Sequence, residues 1–368
     1  MGISNLNRFL RKKCPNVFKE IHISEFAYKK VAIDITLFLC KFKAVCGENW
    51  VTAFINLVAS LRRNEIHCVF IFDNGAPEEK AGEREERKKQ QELIKKKVFD
   101  LETAFEKYTN TGEIDISLKE LYEKMPDSEK NVPTLLISRK NNEINMKAVE
   151  QKIKKMKNYI LNITANDFEI AKELFEKLHV PYYLAALEAE CTCADLCRRG
   201  YVDAVLTEDT DVLAYGSPVF LSKINTTDDT CVQINHDDVL RELNMTHSQF
   251  LDLCIMFGCD YNKNIHKVGI ETSYKYLKTY GSIDNIEKEL KLDVSALNHI
   301  RCRELFTQYG RIDIPKNIPY CGIPDMIKLK EFVDKYKLFG LNYEKLKTHF
   351  TKQSKLVVLL EDEDIEII

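Results

Sequence analysis

The sequence predicts an α/β protein with a central, mostly parallel sheet flanked by helices. Three observations predict it. Short apolar runs at 30–36 (KVAIDIT), 67–73 (HCVFIFD) and 202–206 (VDAVL) have the length and composition of strands buried on both faces. Segments with apolar residues at helical spacing separate these runs, the alternation that parallel strands require. A chain of 368 residues, 45% hydrophobic and 30% charged, is ordinary globular material for one large domain or two small ones.

In chain order, residues 4–12 read as an amphipathic helix with Ile3, Leu6, Phe9 and Leu10 on one side. The first strand, 30–36, carries Asp34. The segment to Arg63 is helical, with Trp50, Phe54, Leu57 and Leu61 on one face. The second strand ends on Asp73, and the two strands with their helix form a βαβ unit of expected right-handed crossover. Residues 78–108 are highly charged and helical. Lys80, Arg84, Arg87 and Gln91 recur on one face, and Lys88, Lys89 and Lys95 to Lys97 add charge. Such a run is often a solvated face laced with Glu–Lys pairs. Its start just after Asp73 favours a role in guiding phosphates. Residues 110–165 are less regular, with a second basic helix near 147–157. A helix at 166–178, a short strand at 179–184 and a hairpin from 219–225 and 231–235 follow. A buried helix, 251–257, closes on Gly258 as C-cap. Beyond a turn at Gly269 lies a helix over 273–280. Short helices and loops fill 283–350, punctuated by Pro315, Pro319 and Pro324. The tail, 351–368, is expected as a peripheral strand or a frayed end.

The chemistry gathers around 187–215, LEAECTCADLCRRGYVDAVLTEDTDVLAY. Glu188 and Glu190 precede a helix, and the strand at 202–206 delivers Glu208, Asp209 and Asp211 to its C-terminal end. Ligands bind at that edge in open α/β sheets. Either acid pair alone reads more readily as helix caps or surface charge. Repetition changes the reading, because Asp34 and Asp73 also finish apolar strands, where an unpaired carboxylate costs several kcal/mol, about 2–7 even for a neutral polar group. Converging carboxylates persist only if cations or protons neutralise them, and hard oxygen donors favour Mg²⁺ or Mn²⁺.

Composition excludes some classes. With a net charge of −3 the chain is no polycation, so contact with nucleic acid must use local basic patches and metals. The 12 scattered cysteines suit free thiols in a reducing compartment. Cys191, Cys193 and Cys197 lack the paired spacing and the histidine of a zinc module and read as small buried hydrophobes. The start, MGISNLNRFL, has no signal-length apolar run, and Leu6 stands where myristoylation needs Ser or Thr. No apolar segment of membrane length is expected.

Taken in order, MGISNL, VAIDIT, VFIFDNGAPEEK, LEAEC, LTEDTDVLAYGSP and FGCDY with a following GI turn resemble the flap endonucleases, the XPG-type 5′ structure-specific nucleases. The resemblance covers residues 1 to about 350 apart from the middle segment. It implies a PIN-like nuclease core, a helical arch and a C-terminal helix–turn–helix element that grips duplex DNA. The implied layout is an N-terminal nuclease region (1–90), an arch or insert (91–165), an internal nuclease region (166–262), a helical DNA-binding region (263–350) and a tail (351–368).

By matching position, the resemblance implies Asp34, Asp73, Glu188, Glu190, Asp209, Asp211 and Asp260 as ligands of two Mg²⁺ ions, with Mn²⁺ able to substitute. It implies Lys80 and Arg87 as the basic catalytic pair. Gly2, a slim terminus after removal of Met1, would meet DNA together with Arg84, Lys88, Lys267 and Gly269. The implied partner is branched or nicked DNA with a 5′ end. The implied setting is a monomer inside the cell, at sites of DNA replication, with no membrane association; no sliding-clamp peptide is recognised. The pattern departs from the family at Cys40, where a base-stacking aromatic is usual and Phe38 or Phe42 could substitute. It departs again at Lys267, in place of a glycine, and at Glu271, where lysine is common. These departures point to a divergent member from a compact replication system such as that of a large DNA virus. Two rival readings are a catalytically silent DNA-junction scaffold and a phosphatase using Asp209 as nucleophile.

Overall fold

The computed structural model describes residues 2–130, 144–158, 160, 163–307 and 314–350. The tail at 351–368, expected as a strand or a frayed end, lies outside them. The described residues form two compact units. One comprises the chain through Leu39, Val51–Ala81 and the described residues from Thr164 onward; the other comprises Cys40–Trp50 and Gly82–Ile163.

The first unit is built on a seven-stranded sheet. Its strands are β1 (Lys19–His22), β2 (Lys30–Asp34), β3 (His67–Phe72), β4 (Tyr182–Leu184), β5 (Ala204–Leu206), β6 (Val219–Asn225) and β7 (Thr230–Asn235), in the order β1-β7-β6-β5-β2-β3-β4. Strands β6, β5, β2, β3 and β4 run parallel, and β7 is antiparallel to both β6 and β1. From β2 the chain moves outward one way, to β3 and β4, and then returns to the other side of β2 with β5. The strand order therefore reverses between β2 and β5, the kind of crevice in which open α/β sheets bind ligands.

Period-2 alternation explains the layering. In β3, Val69 and Ile71 join a buried cluster with Ala189, Cys193 and Ala194 of the helix Ala189–Arg198. Phe70 and Phe72 face the other way. Phe70 stacks on Phe175 of the helix Ala165–Lys177 with centroids 4.1 Å apart, and Phe54 of the helix Trp50–Arg63 meets both rings edge-on at 6.0 Å. Trp50, Phe54, Leu57 and Leu61 are each buried, as their helical spacing predicts.

Ile35–Arg63 is long and apolar enough to span a bilayer by length and composition, which corrects the expectation of no such segment. Leu37, Phe38, Leu39, Phe54, Ile55 and Val58 along it are buried inside the protein, which accounts for its hydropathy. Phe38 is fully buried, so it cannot supply the stacking surface missing at Cys40; Phe42 is half-buried.

β1 is not anticipated by the sequence. The hairpin partners and the parallel strands are, though the third apolar run is a strand only over Ala204–Leu206. Among its described residues the second unit carries the helices Ala81–Thr111, Ile116–Glu123, Asp127–Lys130 and Met146–Asn158, so the described residues after 110 are more regular than expected. Its small core gathers Leu101, Leu118, Leu121, Val149 and Ile153.

Candidate metal centre

The carboxylates collect at the C-terminal edge of the parallel strands, beside the reversal point. Asp34 closes β2 and is 4% exposed. Its Oδ1 accepts the amides of Thr36 (2.9 Å) and Leu37 (3.4 Å), so it caps the helix that follows. Asp73 follows β3, and its Oδ1 accepts the Ala189 amide at 2.6 Å. Asp73 thus caps the helix Ala189–Arg198 from outside. Glu188, at that helix's own N-cap position, makes no side-chain cap bond and turns instead to Lys80 and Tyr261.

Glu190, Asp209 and Asp211 each offer an oxygen within 4.8 Å of the others. The Asp211 amide donates to Asp209 Oδ1 at 3.1 Å, and Asp211 Oδ1 accepts the Ile3 amide at 2.6 Å. The N-terminal segment lies directly on this group. Gly2 has φ +80, and a Cβ there would overlap Asp209 Oδ1 and stand 2.6 Å from Asp211 Oδ1. Only glycine fits.

Asp260 comes from the loop after the helix His247–Phe257, which ends at Gly258 with φ +94. Asn262 Nδ2 and Asn264 Nδ2 donate to the terminal carbonyls of Ile255 (2.8 Å) and Phe257 (3.0 Å), and Ser4 N donates to Gly258 O at 2.9 Å. The loop is therefore held on both sides.

Lys80 is not on the helical face where its spacing placed it. It ends a 3₁₀ turn, Glu78–Lys80, and turns inward. Its ammonium pairs with Glu188 Oε1, lies 3.1 Å from Asp260 Oδ2 and 3.8 Å from Glu190 Oε1. Burial pulls its pKa down, but Glu190, Glu188 and Asp260 outweigh that and hold it above the ordinary lysine value.

The carboxyl pKa values move the other way. Burial raises Asp34, Asp73, Glu190, Asp209 and Asp211 alike. Neighbouring charge adds to it: Asp73 on Asp34, Asp34 on Glu190, and Asp209 on Asp211. Crowded, buried, like-charged oxygens of this kind fit a hard divalent cation. Cys193 is a different matter. Burial first, then Asp34 and Glu190, push its thiol well up, which disfavours the thiolate a zinc site needs.

Other residues singled out in the sequence lie elsewhere. Glu208 turns away and accepts the Lys223 amide at 3.2 Å. Arg84, Arg87 and Lys88 ride the helix Ala81–Thr111 in the second unit, where Arg87 pairs with Glu83. Lys267 has φ +64, a backbone conformation that favours glycine, whereas Gly269 has φ −91 and caps the helix Ile270–Tyr280. The turn thus keeps a left-handed residue despite the substitution. Glu271 is bound by Lys12 (2.6 Å) and Lys13 (2.9 Å) of the helix Leu6–Lys13. The sequence reading missed Tyr261 and Tyr215. Their signal was available, since a tyrosine inside an apolar run needs a polar partner.

Comparison with known proteins places this geometry. The XPG N-terminal domain matches residues 1–94 and the XPG I-region residues 179–260. Cyclin-dependent kinase inhibitor 3 also matches, at residues 222–356. "Probable RAD2-like endonuclease 369L" of Invertebrate iridescent virus 6 is 32% identical over 348 residues, covering 85% of this chain and 81% of that protein. "Probable RAD2-like endonuclease 076L" of Invertebrate iridescent virus 3 is 34% identical over 349 residues, covering 88% and 90%. Flap endonuclease 1-2 of Paramecium tetraurelia is 31% identical over 303 residues, covering 78% and 67%. Among solved structures, the catalytic core of Rad2 in complex with DNA substrate superposes with a TM-score of 0.62 at 16% identity, covering 95% of this chain and 99% of that one. Flap endonuclease-1 from Methanococcus jannaschii gives 0.57 at 20%, covering 93% and 97%. These structural likenesses bear out the α/β nuclease fold. On its sequence relatives, this chain belongs to the XPG family of RAD2-like and flap endonucleases, and is a hydrolytic nuclease.

Proposed function

We propose that the protein is a divalent-metal-dependent 5′ structure-specific DNA endonuclease. It removes 5′ flaps, with 5′–3′ exonuclease action at the same centre, in DNA replication, repair or recombination. One observation carries this reading: acids from five separate stretches of chain are close enough to shift one another's charge at the reversal point of the sheet, with Lys80 paired to Glu188, Glu190 and Asp260 among them. The names of its relatives, RAD2-like endonuclease and flap endonuclease, support the substrate class.

Asp34, Asp73, Glu188, Glu190, Asp209, Asp211 and Asp260 would hold Mg²⁺ or Mn²⁺. Bound divalent ions supply Lewis acidity, activating water and stabilising the charge on the leaving oxygen. The chain's own groups do the rest. Lys80 carries positive charge into the carboxylate group, where an incoming phosphate oxygen would meet it. Arg87 is assigned the second cationic role, and Arg84 and Lys88 contact with the DNA backbone. Gly2 keeps the surface beside Asp209 and Asp211 low enough for a DNA strand to approach. Lys267 and Gly269 are assigned to the duplex downstream. Lys267 brings its own positive charge to that turn.

Mapping products on 5′-flap, nicked, blunt and single-stranded DNA with Mg²⁺ tests the reading. Cuts near the base of the 5′ flap are expected. Preference for single-stranded or blunt DNA over the flap would refute the structure-specific assignment. Trapping of a phospho-aspartate at Asp209 would replace hydrolysis by water with the phosphatase chemistry.

A further inference from the structure

Behind the carboxylates lies a second polar layer that the metal-binding reading does not use. Tyr261 OH lies 2.6 Å from Glu188 Oε2, and Tyr215 OH lies 2.7 Å from Tyr261 OH. The direction of this chain follows from what each group can do. A carboxylate only accepts, so Tyr261 donates to Glu188, and its oxygen is left to accept from Tyr215. Tyr215 is 1% exposed and Tyr261 5%. Phe306 packs against both rings, with centroids 4.8 and 5.4 Å away. Water is kept from the hydroxyls, and a chain of hydrogen bonds in such surroundings strengthens its own members.

The placement is specific. Tyr215 follows the short helix Asp211–Ala214 and so belongs to the stretch that carries Asp209 and Asp211. Tyr261 is next to Asp260. Glu188 belongs to the stretch that carries Glu190. The two hydroxyls therefore tie together three of the acid-bearing stretches. They do so at Glu188, which stands at the N-cap position of its helix without capping it, because Asp73 caps that helix. Among the described residues, Lys80 and Tyr261 hold the Glu188 side chain, so losing the tyrosine leaves Lys80 as its anchor.

We propose that Tyr261, backed by Tyr215, is a positioning residue for the metal centre: it holds Glu188 Oε2 and so fixes Oε1, the oxygen paired with Lys80, as the one a cation would share or take over. The inference rests on the metal-binding reading above. Groups that orient ligands in this way typically carry 10- to 100-fold in metal affinity.

The test uses the full chain, freed of metal, and reads binding rather than cleavage. Mn²⁺ binding is followed by the electron paramagnetic resonance of free Mn²⁺, and the Mg²⁺-dependent rise in Tm is followed in parallel. Tyr261→Phe is expected to weaken binding about 10-fold or more, and Tyr215→Phe to weaken it less. Tyr261→Phe should have no further effect in a Glu188→Gln background, since the tyrosine acts through that carboxylate. The Tm of the metal-free variants separates damage to the fold, and Tyr215→Phe serves if Tyr261→Phe does not fold. Wild-type affinity in both tyrosine variants overturns the proposal, as does an undiminished loss in the Glu188→Gln background. Failure of the wild-type protein to bind Mn²⁺ or respond to Mg²⁺ would instead remove the metal-binding reading itself.

Discussion

At the scale of single residues, the carboxylates and Lys80 hold each other in place. Asp209→Asn or Asp260→Asn removes a negative charge without changing shape. Each is expected to abolish Mg²⁺-dependent cleavage while leaving DNA binding largely intact, as measured by flap cleavage alongside a gel-shift titration. Lys80→Ala should slow single-turnover cleavage by about 10²- to 10³-fold, the range for losing one preorganised electrostatic contact. An unchanged rate would reduce Lys80 to a counter-ion. Gly2→Ala pushes a methyl group onto Asp209 and Asp211. Weaker Mg²⁺ stabilisation is expected, seen as a smaller rise in Tm at a fixed Mg²⁺ concentration. Asp34, Asp73 and Asp209 are legible in the sequence because each ends or follows an apolar run, where an unpaired carboxylate is costly, whereas Asp260 enters only through the family resemblance. The inward turn of Lys80 is not, because it depends on a 3₁₀ turn that breaks the helical spacing shared with Arg84 and Arg87.

At the scale of elements, helix ends and their caps decide where the acids point. The helix His247–Phe257, which leads to Asp260, is tied to its neighbours by Asp252. Both Asp252 oxygens accept from Arg303 at 2.7 Å, and Oδ2 also accepts the Ile283 amide at 3.0 Å. Arg303→Ala would leave Asp252 buried without its counter-charge. Arg303 is itself 27% exposed, so a loss of about 2–3 kcal/mol is expected, below the ~3–5 kcal/mol of a fully buried pair. Urea unfolding measures it. The parallel strands are legible because being buried on both faces makes them continuous apolar runs. β1 is not, since Lys19–His22 is an edge strand with three exposed residues and no apolar alternation. The left-handed conformation within the turn, at Lys267, is also hidden, because a lysine gives no sign of φ +64.

At the scale of the molecule, the carboxylate cluster gives stability a characteristic pH dependence. Asp34, Asp73, Glu190, Asp209 and Asp211 have folded pKa values above their ordinary ones. The folded protein therefore binds more protons than the unfolded chain as pH rises above the ordinary carboxylate range. Stability contributed by these groups is fully present below that range and is lost as pH rises through the folded values. Asp284 opposes this, because hydrogen bonding to Arg303 draws its carboxyl down to about 2. Its contribution is present above the ordinary aspartate range and is lost as pH falls toward 2. With EDTA present, urea midpoints should decline from the weakly acidic range upward. Mg²⁺, which binds the ionised cluster, should flatten or reverse the decline. A metal-free midpoint that rises steadily over the same range would contradict the crowding of buried charge.

The contact between the amino-terminal segment and Asp209 and Asp211 has a practical corollary. Gly2 lies hard against Asp209 and Asp211, so an affinity tag fused to the amino end is expected to lower turnover by crowding the proposed reaction centre. Maturation of the amino end, by an aminopeptidase or by cleavage of a fusion partner, then becomes a determinant of specific activity. Preparations that differ only in their first few residues should differ in turnover far more than in yield or heat resistance.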